Sequence, residues 1–442
     1  MKVWCFLFWM MCFTPVDAQL VDSINNPPQW MVWNTQNSDI PYDFVTDLDI
    51  DSKGQVWMGF CTPFNGGGGF GRLSFPNDWL HFDRNNFPIF SNRIEFECVS
   101  ALQINDYDSL YVSRNNTPSA SIIFNNERLS LIFCGGTYDN VNRTYLKNGY
   151  LYAVASRGFY AYKDSCIGYI QGSNSPAVFS LAFDRNDKMY IGTELRGIFY
   201  YENGSFIRLE MPDSVFDEGS GRVSSMLFET TIIDNDTVEK LWFGFGSGRE
   251  QWAGVGVWTK DTVYMYRKAD LGTNTGAVLW LERDRRGRIW VGTRDGLAIL
   301  DKGKWTAFNY GSSFIPHPMA IKFVFDKRGN AWIATYGGGL AAFNPEGLWF
   351  GEPLELFQRH DVKIYPVPAT DMLNMTFRAE KDGELEVLIK DTYGRLMRHY
   401  PVHSVLHGPN ELQFDLNGLA SGLLILEVRT PTQTFVYRAI KA

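Results

Sequence analysis

One pattern recurs along this chain and leaves few folds open to it. Residues 284–308, DRRGRIWVGTRDGLAILDKGKWTAF, hold two short apolar runs, IWV and LAIL, separated by the tight segment 292–296. A further strand is expected at 304–308 after the turn-like 301–303, and 277–283 supplies another before the motif. Four strands in a meander, with central runs apolar on both faces, are stable only when a neighbour covers each face. The unit therefore has to repeat.

Copies of it are anchored by an aromatic residue on the second strand, at Trp57, Tyr111, Tyr152, Tyr190, Trp242, Trp290 and Trp332. The intervals run from 38 to 54 residues, which brackets the roughly 40–50 residues of a four-stranded propeller blade. The turn before the anchor repeats too: Asp51 with Gly54, Asp284 with Gly287, Asp326 with Gly329, and the relaxed Asp184 with Asp187. Asp caps such a turn through its side chain and Gly accepts positive φ at its end, so the pattern marks a hairpin between strands one and two. A calcium loop at Asp47, Asp49 and Asp51 is the competing reading, but the other copies keep only the last Asp and the Gly. The segment 29–41 looks like the fourth strands at 78–89 and 304–314 yet has no blade of its own. Trp30–Trp33 is expected to complete the last blade, with 348–350 as competitor, and so to remove the open sheet edges. Aromatic residues at 15%, with 14 Trp and 41 Gly, agree with an all-β chain rich in turns. The expectation is a seven-bladed β-propeller; the weak second and third copies leave six or eight blades open.

Residues 1–18 combine Lys2, an apolar stretch over 3–13, Pro15 and Ala18, the features of a secretory signal peptide, and no later run approaches the roughly 20 apolar residues of a membrane span. Export makes disulfides among Cys61, Cys98, Cys134 and Cys166 possible, and their wide spacing fits no zinc pattern; buried free thiols are the alternative.

The motif D-x-x-G-x-I-W-V-G-T-x-x-G-L, followed by a W-x-x-[FY] strand, resembles the propeller repeat of bacterial two-component regulators across about 29–350. That resemblance implies an extracytoplasmic sensing propeller, often for glycans, here without the membrane helix and kinase. After Pro353 the repeat gives way to about seven short strands, a small Ig-like β-sandwich. This segment resembles the type A sorting domain of the type IX secretion system of Bacteroidetes, through Tyr365, Pro366, Pro368 and Asp371, then Gly394, Gly422 and the terminal Lys441. Val367 and Leu424 depart from the usual pattern. The implied organisation is a signal peptide (1–18), a propeller (19–350), a linker (351–360) and a sorting domain (361–442), with the mature protein secreted or on the outer surface by way of the type IX machinery.

A net charge of −8 argues against a general nucleic-acid binder. The loop after the anchor strand nevertheless carries Arg114, Arg157, Arg196, Arg249 and Arg294 in five repeats, and Phe64 and Tyr336 in the other two, with Trp252 close by. In a propeller these loops emerge on one face. Arginine forks onto carboxylates or sulfates and aromatic rings stack on sugar faces, so the rim suits an acidic glycan or other extracellular polymer. The alternative pairs each Arg with a carboxylate such as Glu194, Glu250 or Asp295. An enzyme, a lyase or glycosidase, would need convergent carboxylates or a Tyr/His pair at the channel mouth. Only His81 and His317 lie in the propeller, without a nearby carboxylate or nucleophile context, and no catalytic residue, metal or cofactor is assigned. His399, His403 and His407 share a spacing, but Pro401 and Gly408 point to a hairpin there rather than a metal face. A protein-interaction scaffold is the third possibility.

Overall fold

The computed structural model describes residues 28–62, 68–83, 98–114, 120–125, 128–133, 141–155, 158–163, 165–170, 177–212, 215, 221–233, 236–246, 253–260, 262–348, 350, 362–379, 382–391, 395–406, 408–430 and 434–442. The signal-peptide segment, the expected linker and Cys134 lie outside them. Two compact units divide at Leu348/Trp349.

Unit one holds seven four-stranded antiparallel sheets among the described residues, each a meander from its innermost strand outward. The innermost strands are Val45–Ile50, Val99–Ile104, Val141–Lys147, Val178–Phe183, Val223–Ile233, Val278–Arg283 and Ala320–Phe325, and they define blades one to seven. Each lies beside the innermost strand of the next blade, and Ala320–Phe325 lies beside Val45–Ile50, which closes the ring. The outermost strand of blade seven is Trp30–Trp33, paired with Leu340–Phe343. Trp30 stacks on Phe343 at 4.0 Å and Trp33 on Trp332 at 5.3 Å. The Leu348 amide donates to the Pro28 carbonyl at 2.8 Å, so both ends of the unit meet at this sheet.

The repeat motif can be read off the contacts. In blade six Asp284 Oδ1 accepts the amides of Arg286 and Arg288, both at 2.9 Å, while Oδ2 accepts the Trp290 indole N–H at 2.9 Å. Asp51 with Trp57 and Asp326 with Trp332 do the same, at 3.0 and 3.2 Å. In blade five the first hairpin is longer, and Glu229, inside the innermost strand, takes the Trp242 indole N–H at 2.9 Å. The glycine two residues after the anchor lets the next blade approach: a Cβ at Gly292 would lie 2.6 Å from the Ala320 carbonyl, and one at Gly244 2.3 Å from Val278. The threonine that follows closes the next turn, with Thr293 Oγ1 donating to the Gly296 carbonyl at 3.1 Å. Neighbouring innermost strands are tied by hydroxyls: Thr46 donates to Val99 O at 2.6 Å, Ser180 to Val223 O at 2.8 Å and Ser224 to Val278 O at 2.6 Å. A disulfide joins Cys61 to Cys98, across the connection from blade one to blade two.

Unit two is a two-sheet sandwich. Lys363–Tyr365, Met372–Ala379 and Gly408–Asp415 form one sheet; Leu396–Val405, Gly383–Lys390, Gly422–Arg429 and Thr434–Lys441 form the other, in that order. Leu373, Met375, Val387, Ile389, Phe414 and Leu426 fill the space between them. The strand Leu396–Val405 runs through Pro401 instead of turning there, because a bulge absorbs the proline. That bulge shifts the alternation, so His399 and His403 fall on opposite faces, and His407 lies outside the described residues.

Candidate functional site

The loops between second and third strands, and those joining one blade to the next, emerge on the same face of a ring of meanders. Arg196, Arg294 and Tyr336 sit on three of these second-to-third connections, and all three side chains are exposed. Arg114 ends its strand on the same face, without a described side chain, while Phe64, Arg157, Arg249 and Trp252 lie outside the described residues. The carboxylate of Glu194 is taken by Arg222, at 3.1 Å, and the Arg222 guanidinium also covers the Phe179 ring at 3.8 Å. Asp295 accepts both nitrogens of Asn274, at 3.2 and 2.7 Å. Arg294 thus pairs with no carboxylate among the described residues.

Around Arg294 the loops are laced together. The segment 309–319 bonds near its start to the turn of blade six, where the Tyr310 amide donates to Asp295 O at 3.0 Å, and the Gly296 amide of that same turn donates to Pro318 O at 2.7 Å. At its other end the Tyr336 amide donates to Met319 O at 3.3 Å, and the Tyr336 ring packs edge-on against Phe44 at 5.1 Å. This frame carries Phe314, 80% exposed, Tyr310, 50% exposed, and Tyr336, 40% exposed. His317 accepts the Met319 amide at 3.1 Å, and burial pushes its pKa down, so the ring is neutral at pH 7. Tyr310 and Phe314 were missed in the sequence because they lie on the inter-blade connection, where no repeat position flags them. His81 does have a carboxylate at hand, Asp83 at 4.0 Å, and burial lowers its pKa.

Below this face the channel is crossed by side chains. Arg143 of blade three donates to Leu279 O of blade six at 2.7 Å and stacks over Trp280 at 4.5 Å. Lys322 of blade seven pairs with Asp47 of blade one at 2.5 Å. Asp49 accepts from Gln103 Nε2 at 3.0 Å and the Ile104 amide at 2.8 Å, and burial raises its pKa. Burial likewise drives Glu282 up to about 7. Asp47, Asp49 and Asp51, the residues of the calcium reading, each accept from protein donors. No cluster of three or more His, Cys, Asp or Glu able to hold a metal occurs among the described residues.

In unit two the sorting-motif residues bond to the strands around them. Tyr365 Oη donates to Glu411 at 2.9 Å, Leu416 N to Asp371 O at 2.7 Å, and Lys441 Nζ to Thr370 O at 2.9 Å. Pro366 and Pro368 both follow cis peptide bonds, Gly422 has φ of +141°, and Gly394 lies outside the described residues.

A ring of four-stranded sheets and a sandwich with this motif define an exported β-propeller protein with a sorting tail. Two family models match: "Two component regulator propeller" over residues 272–295 and "Secretion system C-terminal sorting domain" over residues 363–442. The sorting-domain match implies export through a secretion machinery, with the protein secreted or at the cell surface. No helix among the described residues is long and apolar enough to cross a membrane. No curated protein matches the chain in sequence at a significant level. Among solved structures it is similar to the extracellular domain of a hybrid two-component system of B. thetaiotaomicron, with a TM-score of 0.57 and 16% identity over 94% of this chain and 57% of that one. A second such domain from B. thetaiotaomicron gives 0.50 and 13%, over 94% and 59%. YCF48 bound to D1 peptide gives 0.52 and 12%, over 74% and 98%. The chain thus spans less than two thirds of both extracellular domains, and at these identities the likeness is one of fold.

Proposed function

We propose that the propeller is a non-catalytic recognition module for an acidic glycan or similar extracellular polymer, bound on the face carrying Arg294, Tyr310, Phe314 and Tyr336. One observation carries this reading: an arginine without a carboxylate partner among the described residues shares one face with three exposed aromatic rings on loops held by backbone hydrogen bonds. A guanidinium forks onto carboxylate or sulfate, and rings fixed in place stack on sugar at little entropic cost. The test is binding of the full chain to a panel of acidic and neutral polysaccharides by calorimetry. Arg294→Ala combined with Phe314→Ala is expected to weaken binding to the acidic members at least tenfold with an unchanged melting temperature. Equal affinity for neutral polymers, or cleavage of a bound polymer, would sink it.

A further inference from the structure

On the opposite face, the one bearing the turns between first and second strands, blades five and six part around a cavity of about 420 Å³. Its cause lies in two positions. Where blades three, four and six rest their anchor rings on the next blade, the partner is phenylalanine: Tyr152 on Phe183 at 5.2 Å, Tyr190 on Phe228 at 4.9 Å, Trp290 on Phe325 at 5.0 Å. The register puts Arg283 at that position for Trp242, and its guanidinium swings to Glu229 at 4.0 Å. Two strands further out, blade six has Leu300 where blade seven has Phe343. Two rings that close the next interface are therefore missing here.

The space is lined by Trp242, Tyr264 and Tyr266, with Glu229, Lys240 and Lys302 around it. Trp242 and Tyr266 stack in parallel at 6.2 Å, and Tyr264 is 60% exposed. Lys302, on the turn of blade six, has no partner among the described residues, and Lys240 stands 4.0 Å from Glu229. From this lining we infer that the cleft is a second binding site, for one acidic pyranose residue of the uronate type. An apolar ligand would desolvate three charges without compensation. A phosphate would meet Glu229 and no guanidinium fork, since Arg283 is turned to that carboxylate. A sugar acid sets its C–H face on the tyrosines, its carboxylate against the lysines and its hydroxyls toward Glu229 and Thr259. The inference stands apart from the reading of the opposite face.

The experiment titrates a galacturonic acid tetramer into the full chain and into four variants. Tyr264→Ala and Lys302→Glu are each expected to lower affinity at least tenfold. Leu300→Phe, which installs the ring that blade seven uses, is expected to raise the melting temperature and abolish binding. Lys53→Ala, an exposed lysine on the first turn of blade one, leaves this affinity unchanged. The site is overturned if the unaltered chain does not bind the tetramer, if Leu300→Phe binds it undiminished, if a neutral galactose tetramer binds equally well, or if Lys53→Ala lowers affinity as much as Lys302→Glu.

Discussion

At the turns before Trp57, Trp290 and Trp332, one carboxylate oxygen holds two backbone amides and the other holds the indole, so a single aspartate links a hairpin to the packing of the blade. The spacing of Asp284 and Gly287 made the turn legible, since turn chemistry is local. The indole bond was not, because it depends on where Trp290 Nε1 points once the strands pair. Glu229 shows the limit of pattern reading: the same job is done from within a strand once the hairpin lengthens, and the D-x-x-G signature disappears. Asp284→Asn should turn an amide nitrogen toward the Trp290 indole and the Arg288 guanidinium, which lies at 2.5 Å from Oδ2. We expect a loss of about 2–4 kcal/mol, measured by urea unfolding followed by tryptophan fluorescence. A loss below about 0.5 kcal/mol would mean the carboxylate serves only the turn.

Elements were legible where a short apolar run was bounded by turn residues, as at Ile289–Thr293 and Gly296–Asp301. Trp30–Trp33 was readable as a strand without a sheet, and its register with Leu340–Phe343 follows from matching rings. Contacts across the ring were not legible. Arg143 and Leu279 are 136 residues apart, and only closure of the whole circle brings them together. The same holds for the face carrying Arg294, whose aromatic neighbours come from a connection outside the repeat. Deleting residues 28–34 should leave the fully buried Leu340–Phe343 as an open edge. The shortened chain is expected to melt at lower temperature and to oligomerise in size-exclusion chromatography, and a peptide spanning 28–34 should reverse both effects.

For the molecule as a whole, the charged channel ties stability to pH. Glu282, with its pKa pushed to about 7 by burial against a usual 4.5, is protonated in the folded ring at pH values where the unfolded chain has already ionised. Its folded pKa is raised, so its contribution is fully present below about pH 4.5 and is lost as pH rises through about 7, on the order of 3 kcal/mol. Asp49, also raised, acts in the same direction. Glu282→Gln should therefore melt like the unaltered protein near pH 4.5 and above it at pH 8; equal melting temperatures at pH 8 would remove Glu282 from this account.

The closing strand also decides how the ring yields to force. Trp30 pairs with Phe343 and Pro28 lies against Leu348, so the two ends of the unit leave the same end of one antiparallel pair. Tension between the two ends of the unit then loads the ladder one rung at a time. Strands arranged that way unzip instead of resisting in shear, and the ring is a clasp that opens at Trp30 before any other blade is strained.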